Sequence, residues 1–158
     1  MTSLNTLLIL LAGTAAAIAT VTPQPFAKAE SLPMALRMVE IRAGDHGHYV
    51  TTASIEHIPV MVLVDTGASK VALSFEDAER IGLNPFALDF DQPVATANGV
   101  VEAALVTLDR VEIENVVVHD VAGIVLPQGA MKGTLLGMSF LNRLSGFRIS
   151  DGTLYLEE

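Results

Sequence analysis

Cysteine is absent from the 158 residues, which removes thiol nucleophiles, disulfides and cysteine-ligated metal centres together. Basic residues are scarce as well. Nine Lys and Arg stand against eighteen Asp and Glu, a formal charge of −9 at pH 7. No cluster of Lys or Arg breaks that balance, and a surface of this sign repels a phosphate backbone, so nucleic acid is not expected as a partner. Charge of either sign is missing from Met1 to Ala27, and Leu4 to Val21 is almost wholly apolar.

A bilayer span takes about 20 apolar residues, a length that the N-terminal run only just reaches. The basic start of a cleaved secretory signal is lacking, although Ala27-Lys28-Ala29 offers a small-x-small cleavage site. Residues 1–22 therefore read as a transmembrane anchor or signal segment. Residues 23–36 read as a linker, with Pro23, Pro25 and Pro33 and few large apolar side chains. Anchor or signal, the segment carries the rest of the chain to the extracytoplasmic, periplasmic side of a membrane.

From Arg37 onward the pattern changes to short apolar runs separated by turns. Val39–Arg42, His48–Ile55 and Pro59–Val64 read as strands, the last two joined by a tight turn at Glu56-His57. Leu73 to Asp77 begins a short helix with Ser74 as N-cap and Gly82 as terminator. Asn98-Gly99, between Val94 and Val100-Val101, is the strongest hairpin signal in the chain. Alternation continues from Val106 to Val118 with a break near Glu114-Asn115, and Thr134–Leu136 is a further short strand. Met138–Leu144 reads as a helical turn or two. A last hairpin turns about Asp151-Gly152 and sets Phe147, Ile149, Leu154 and Leu156 on one face. Residues 37–158 thus form an all-β domain with one or two short helices.

Chemistry concentrates in Val62-Leu63-Val64-Asp65-Thr66-Gly67-Ala68-Ser69, an apolar strand ending in an acid, a hydroxyl residue and a glycine. An Asp-Thr/Ser-Gly tripeptide arises by chance in about one chain in fifteen of this length, often as an ordinary strand-ending turn. The flanking apolar strand and the Ala-Ser that follows make the pattern rarer by a factor of about a hundred. Hydrolysis of a peptide without metal or covalent nucleophile needs one group to activate water and another to polarise the carbonyl. Two carboxylates about 3 Å apart cannot both ionise, so they share a proton and supply both functions. Gly67 permits close approach of backbone to such a carboxylate.

These residues resemble the active-site loop of retropepsin-like (clan AA) aspartic proteases, and the likeness extends from about Arg37 to the C-terminus. Leu135-Leu136-Gly137, ahead of Met138-Ser139-Phe140-Leu141, is similar to the family's apolar-apolar-Gly signature before a short helix. Ala97, Asn98 and Gly99 sit where such enzymes place the hairpin flap that covers substrate. The arrangement resembles bacterial membrane-anchored members most closely. The resemblance implies a closed β-barrel, Asp65 as the catalytic acid, and Thr66, Gly67, Ala68 and Ser69 as support in the loop. Thr66 is then the residue that hydrogen-bonds across the base of the paired loops. Ala68 stands where pepsin-like enzymes carry a hydroxyl, so one hydrogen bond to the carboxylate is missing.

The chain holds one Asp-Thr-Gly. Asp45-His46-Gly47 and Asp151-Gly152-Thr153 have the wrong order. A single acid makes no dyad, so the expectation is a homodimer with Asp65 contributed by each subunit at a two-fold axis. The expected activity is endopeptidase cleavage of protein or peptide substrates outside the cytoplasm, with no cofactor and no metal. His46 and His48 alternate as a metal pair would, but no third ligand lies near them in sequence, and an exposed pair on a hairpin explains them. The alternative is a catalytically silent binding or assembly module of the same fold at the membrane, which has no need of an acid at position 65.

Overall fold

The structure, a computed structural model, describes residues 37–96 and 99–158. The anchor or signal expected at 1–22, the linker at 23–36 and the hairpin residues Ala97 and Asn98 lie outside the described residues. Among those described, no helix is long and apolar enough to cross a membrane.

The chain forms β1 (Met38–Arg42), β2 (Val50–Ile55), β3 (Ile58–Val64), β4 (Val71–Leu73), α1 (Phe75–Arg80), β5 (Gln92–Thr96), β6 (Gly99–Ile113), β7 (Val116–Val125), β8 (Thr134–Leu136), α2 (Met138–Leu141), β9 (Gly146–Ser150) and β10 (Thr153–Glu157). Turn chemistry sets several of these joins. Glu56 and His57 both take positive φ, 48° and 67°, the two-residue geometry that matches the twist of β2 and β3. Ser74 caps α1 by accepting a hydrogen bond from the Asp77 amide at 3.1 Å, and Gly82, at φ +92°, follows its end.

Six strands run in the order β2-β3-β8-β4-β7-β6, and β6 returns to β2 through Ser54–Glu112 and Ile55–Val111, closing a barrel. β1, β10 and β9 make a separate three-stranded antiparallel sheet. β8 lies between β3 and β4, which are consecutive in the chain, running parallel to β3 and antiparallel to β4. The loop from residue 65 to residue 70 must therefore pass over one end of β8. That crossing places the acid.

Alternation of side chains assigns each strand to two environments. Val71, Leu73, Leu136, Val125 and Ala104 join the main core, with Ile55, Val62, Leu108, Phe140 and Leu156. Their neighbours Ala72, Leu135, Ile124 and Ala103 face the other way and form a smaller apolar cluster with Leu126, Val94 and Met131. β6 serves both. Its first residues pair with β5 up to Gln92–Ala103, and from Ala104–Val125 onward it pairs with β7. Alanines at this changeover, 0% and 1% exposed, let the strand pass between the two clusters without a bulky side chain.

Three expectations shift in detail. Leu73 ends β4 and does not open the helix, which begins at Phe75. β4 is only three residues long, too short to show alternation, and exists because β7 and β8 supply its partners. β7 runs on to Val125, past the polar pair His119-Asp120, although the alternating pattern in the sequence stops at Val118. In the last hairpin, Leu154 and Leu156 pair with Ile149 and Phe147 as expected, but Ile149, on a strand paired on one side, remains 59% exposed.

The cap of α1 is open to a direct check. Ser74 is 2% exposed, and Ser74→Ala leaves the Asp77 amide without its acceptor. The expected cost is about 1 kcal/mol, read as a lower urea midpoint with an unchanged slope.

Candidate active site

Asp65 follows β3 directly, and its amide donates to the Leu136 carbonyl of β8 at 3.1 Å. The backbone is thus still paired where the acid stands. The loop then turns: the Ala68 amide donates to the Asp65 carbonyl at 3.2 Å, and the Gly67 amide donates to Asp65 Oδ1 at 2.8 Å. A β-carbon on Gly67 would lie 3.1 Å from that same oxygen, so glycine keeps the approach to the carboxylate clear. Asp65 itself is half-buried.

The second element closes on the first through backbone. The Met138 amide at the start of α2 donates to the Ala68 carbonyl at 2.8 Å. At Gly137 a β-carbon would fall 2.2 Å from the Lys70 carbonyl oxygen and 2.6 Å from that of Ala68. No side chain fits between these chains. Ser139 adds a polar tie, accepting from the Val71 amide at 3.0 Å and donating to the Ala122 carbonyl at 2.6 Å, so that α2 holds β4 and β7 together.

Asp65 opens onto a cleft of about 490 Å³ between the loop and the β5–β6 hairpin. Gly67, Ala68 and Ser69 of the loop line it with the acid, and so does Leu135 of the downstream signature. The other expected residues have different places. Leu136 is fully buried in the core and acts through its carbonyl, and Gly137 is buried against the loop. Thr66 is exposed and outside the cleft lining. Gly99 starts β6 at φ +113°, and its carbonyl accepts from Thr96 Oγ1 at 2.8 Å across the hairpin. His46 and His48 are exposed in the loop between β1 and β2.

The structure adds walls that sequence reasoning had not assigned to the site. Ala72, Val94, Ile124, Leu126, Ala130 and Met131 furnish an apolar lining, and Lys70 contributes the second charged residue of the cleft. Met131 reads as an ordinary loop residue in sequence, and Ile124 as one more strand residue. Only the parity of Leu135 between Thr134 and Leu136 hints that one face of β8 turns away from the core.

Comparison with known proteins agrees with this geometry. The family described as "gag-polyprotein putative aspartyl protease" matches residues 51–143. The crystal structure of a retropepsin-like aspartic protease from Rickettsia conorii superposes with a TM-score of 0.71 at 34% identity, covering 77% of this chain and 91% of that one. The protease of EIAV, in complex with the inhibitor HBY-793, gives a TM-score of 0.54 at 19% identity over 65% of this chain and 93% of its own, a likeness of fold alone. The site is a single acid on a glycine-held loop at one end of a closed β-barrel. The chain belongs to the retropepsin-like aspartic protease family. An uncharacterised protein from the cobV 5′ region of a Sinorhizobium species is 41% identical over 113 residues, 72% of this chain and 48% of its own length. An uncharacterised protein of Rickettsia prowazekii is 38% identical over 119 residues, 73% and 48% respectively. The chain spans about half the length of the curated relatives it matches.

Stability should respond sharply to the contact at Gly137. Gly137→Ala forces backbone apart at Ala68 and Lys70, and the expected loss is about 2 kcal/mol or more. Gly146→Ala meets only the end of the Glu157 side chain, at 3.8 Å, and is expected to stay within about 0.5 kcal/mol of wild type. Urea unfolding of both variants checks this, and equal losses would contradict it.

Proposed function

We propose that this chain is one half of an aspartic endopeptidase, with the dyad formed by Asp65 from each of two subunits. One observation carries the reading: among the described residues that line the cleft, Asp65 is the single carboxylate. Water-mediated peptide hydrolysis by acids needs two, sharing one proton. A second copy related by a two-fold axis supplies the other, with each loop facing itself. Asp65 is half-buried at the loop and Thr66 is exposed beside it, as residues that meet their own copies must be before association.

In the assembled pair one carboxylate takes a proton from water as the oxygen attacks the scissile carbonyl. The other gives its proton to the carbonyl oxygen, and the tetrahedral species collapses with a proton passed to the leaving amine. The Gly67 amide holds one oxygen of each acid in position. An extended segment of a protein substrate fits between loop and hairpin, over the apolar floor of Ala72, Ile124, Leu126 and Leu135. The uncharged run at residues 1–27 supports a further proposal, that the domain works at a membrane on the extracytoplasmic side. A reporter fused after Glu158 that matures only outside the cytoplasm should be active, and an inactive fusion in the membrane fraction would contradict that location.

Asp65→Asn is expected to abolish cleavage of an unstructured protein while leaving a folded dimer. Mixed subunits test the shared dyad. When equal amounts of wild type and Asp65→Asn exchange freely, about a quarter of the dimers are fully wild type and about half are mixed. Activity should fall to about a quarter of that of the same total wild-type concentration. Co-expression with two tags verifies exchange, and a value near half under verified exchange means that each chain acts alone. A folded wild-type dimer with no cleavage, and no affinity for a statine-type analogue, would favour a silent binding module.

A further inference from the structure

The charge at the cleft is at odds with the charge of the chain. Acids outnumber bases two to one overall, eighteen to nine, yet the one charged residue in the cleft besides Asp65 is Lys70. Its place is fixed from both sides. Val71, the next residue, is buried in β4 and hydrogen-bonded to Ser139, and the Lys70 carbonyl packs against Gly137. The residue also lines a second hollow of about 300 Å³ with Leu105, Thr107 and Ala122, so it borders two depressions.

Lys70 is half-buried, and among the described residues its ammonium has neither an ion-pair nor a hydrogen-bond partner. The four ion pairs of the described residues all use arginines, Arg37, Arg80, Arg110 and Arg148. A cation in the cleft with no counter-ion among the described residues is free to pair with an anion from outside the chain. Among the described residues that line the cleft, no carboxylate competes except Asp65, which the reaction itself occupies.

Resting on the peptidase reading above, we propose that Lys70 is a specificity-determining residue that selects substrates with an acidic side chain, Asp or Glu, close to the scissile bond. The neighbouring floor of Ile124, Leu126 and Met131 takes an apolar side chain in the same segment. The preferred substrate is thus a peptide that places an acid within a few residues of an apolar one at the cut site. The negative surface elsewhere repels such peptides, so the attraction is local to the cleft and acts on selection among bound segments.

Matched peptides that differ only by Glu or Gln at each position flanking the bond provide the test, since the pair has the same shape. With the full-length wild-type protein, kcat/KM is expected to favour Glu by about tenfold at one or two positions, less at high salt. Lys70→Met should erase that preference, and Lys70→Glu should reverse it in favour of Lys at the same position. Lys132→Met, at an exposed site outside the cleft lining, should leave it intact. An unchanged preference in Lys70→Met, or equal turnover of Glu and Gln peptides by wild type, overturns the proposal. A second arm measures binding of Glu and Gln versions of a statine-containing peptide by fluorescence anisotropy. If wild type cleaves nothing, the peptidase reading fails on its own, while a Glu preference in binding that vanishes in Lys70→Met still upholds the role of Lys70, and its absence sinks it.

Discussion

The Asp65 loop and the turn before α2 meet backbone to backbone, with Gly137 between the carbonyls of Ala68 and Lys70 at distances that admit no side chain. Much else depends on that contact. It lets the Met138 amide reach the Ala68 carbonyl, sets β8 between β3 and β4, and fixes where the acid emerges from the sheet. A β-carbon at position 137 would separate the two chains and with them the strands they continue. Close-packed interiors do not absorb such a displacement locally, so the cost is spread through loop and barrel together.

The barrel and the cleft are built from the same strands by parity. Val71 and Leu73 go inward while Ala72 goes to the cleft, and Leu135 parts in the same way from Thr134 and Leu136. The cleft floor therefore inherits the rigidity of the core behind it, which suits a site that must hold an acid in a set position. The hairpin of β5 and the first part of β6 is built differently. It rests on one ladder and the small cluster around Ala103 and Val101, and Val100 is 72% exposed.

Local signals make much of this chain legible from its residues alone. The Glu56-His57 turn, the Ser74 cap and the Asp65-Thr66-Gly67 loop each depend on the chemistry of neighbouring residues, and such chemistry is written in order along the chain. The elements that are harder to read, β4 and the far end of β7, are short or polar, and they are strands because of what lies beside them. β4 has three residues and two strand partners. No periodicity can be measured over three residues, so pairing alone defines it.

The same division holds at the site. Order along the chain is enough to establish that one acid follows an apolar strand, that glycine follows it closely, and that a second glycine signature stands well downstream. Covalent connection and side-chain chemistry suffice for those. Folding alone makes Leu136 serve through its carbonyl, brings Ile124, Leu126 and Met131 together as the wall of a cleft, and sets Lys70 at that cleft with no counter-ion among the described residues. These relations join residues far apart in the chain, and nothing in the local sequence of either partner encodes them. They arise only when the barrel closes and side-chain parity is converted into an inside and an outside.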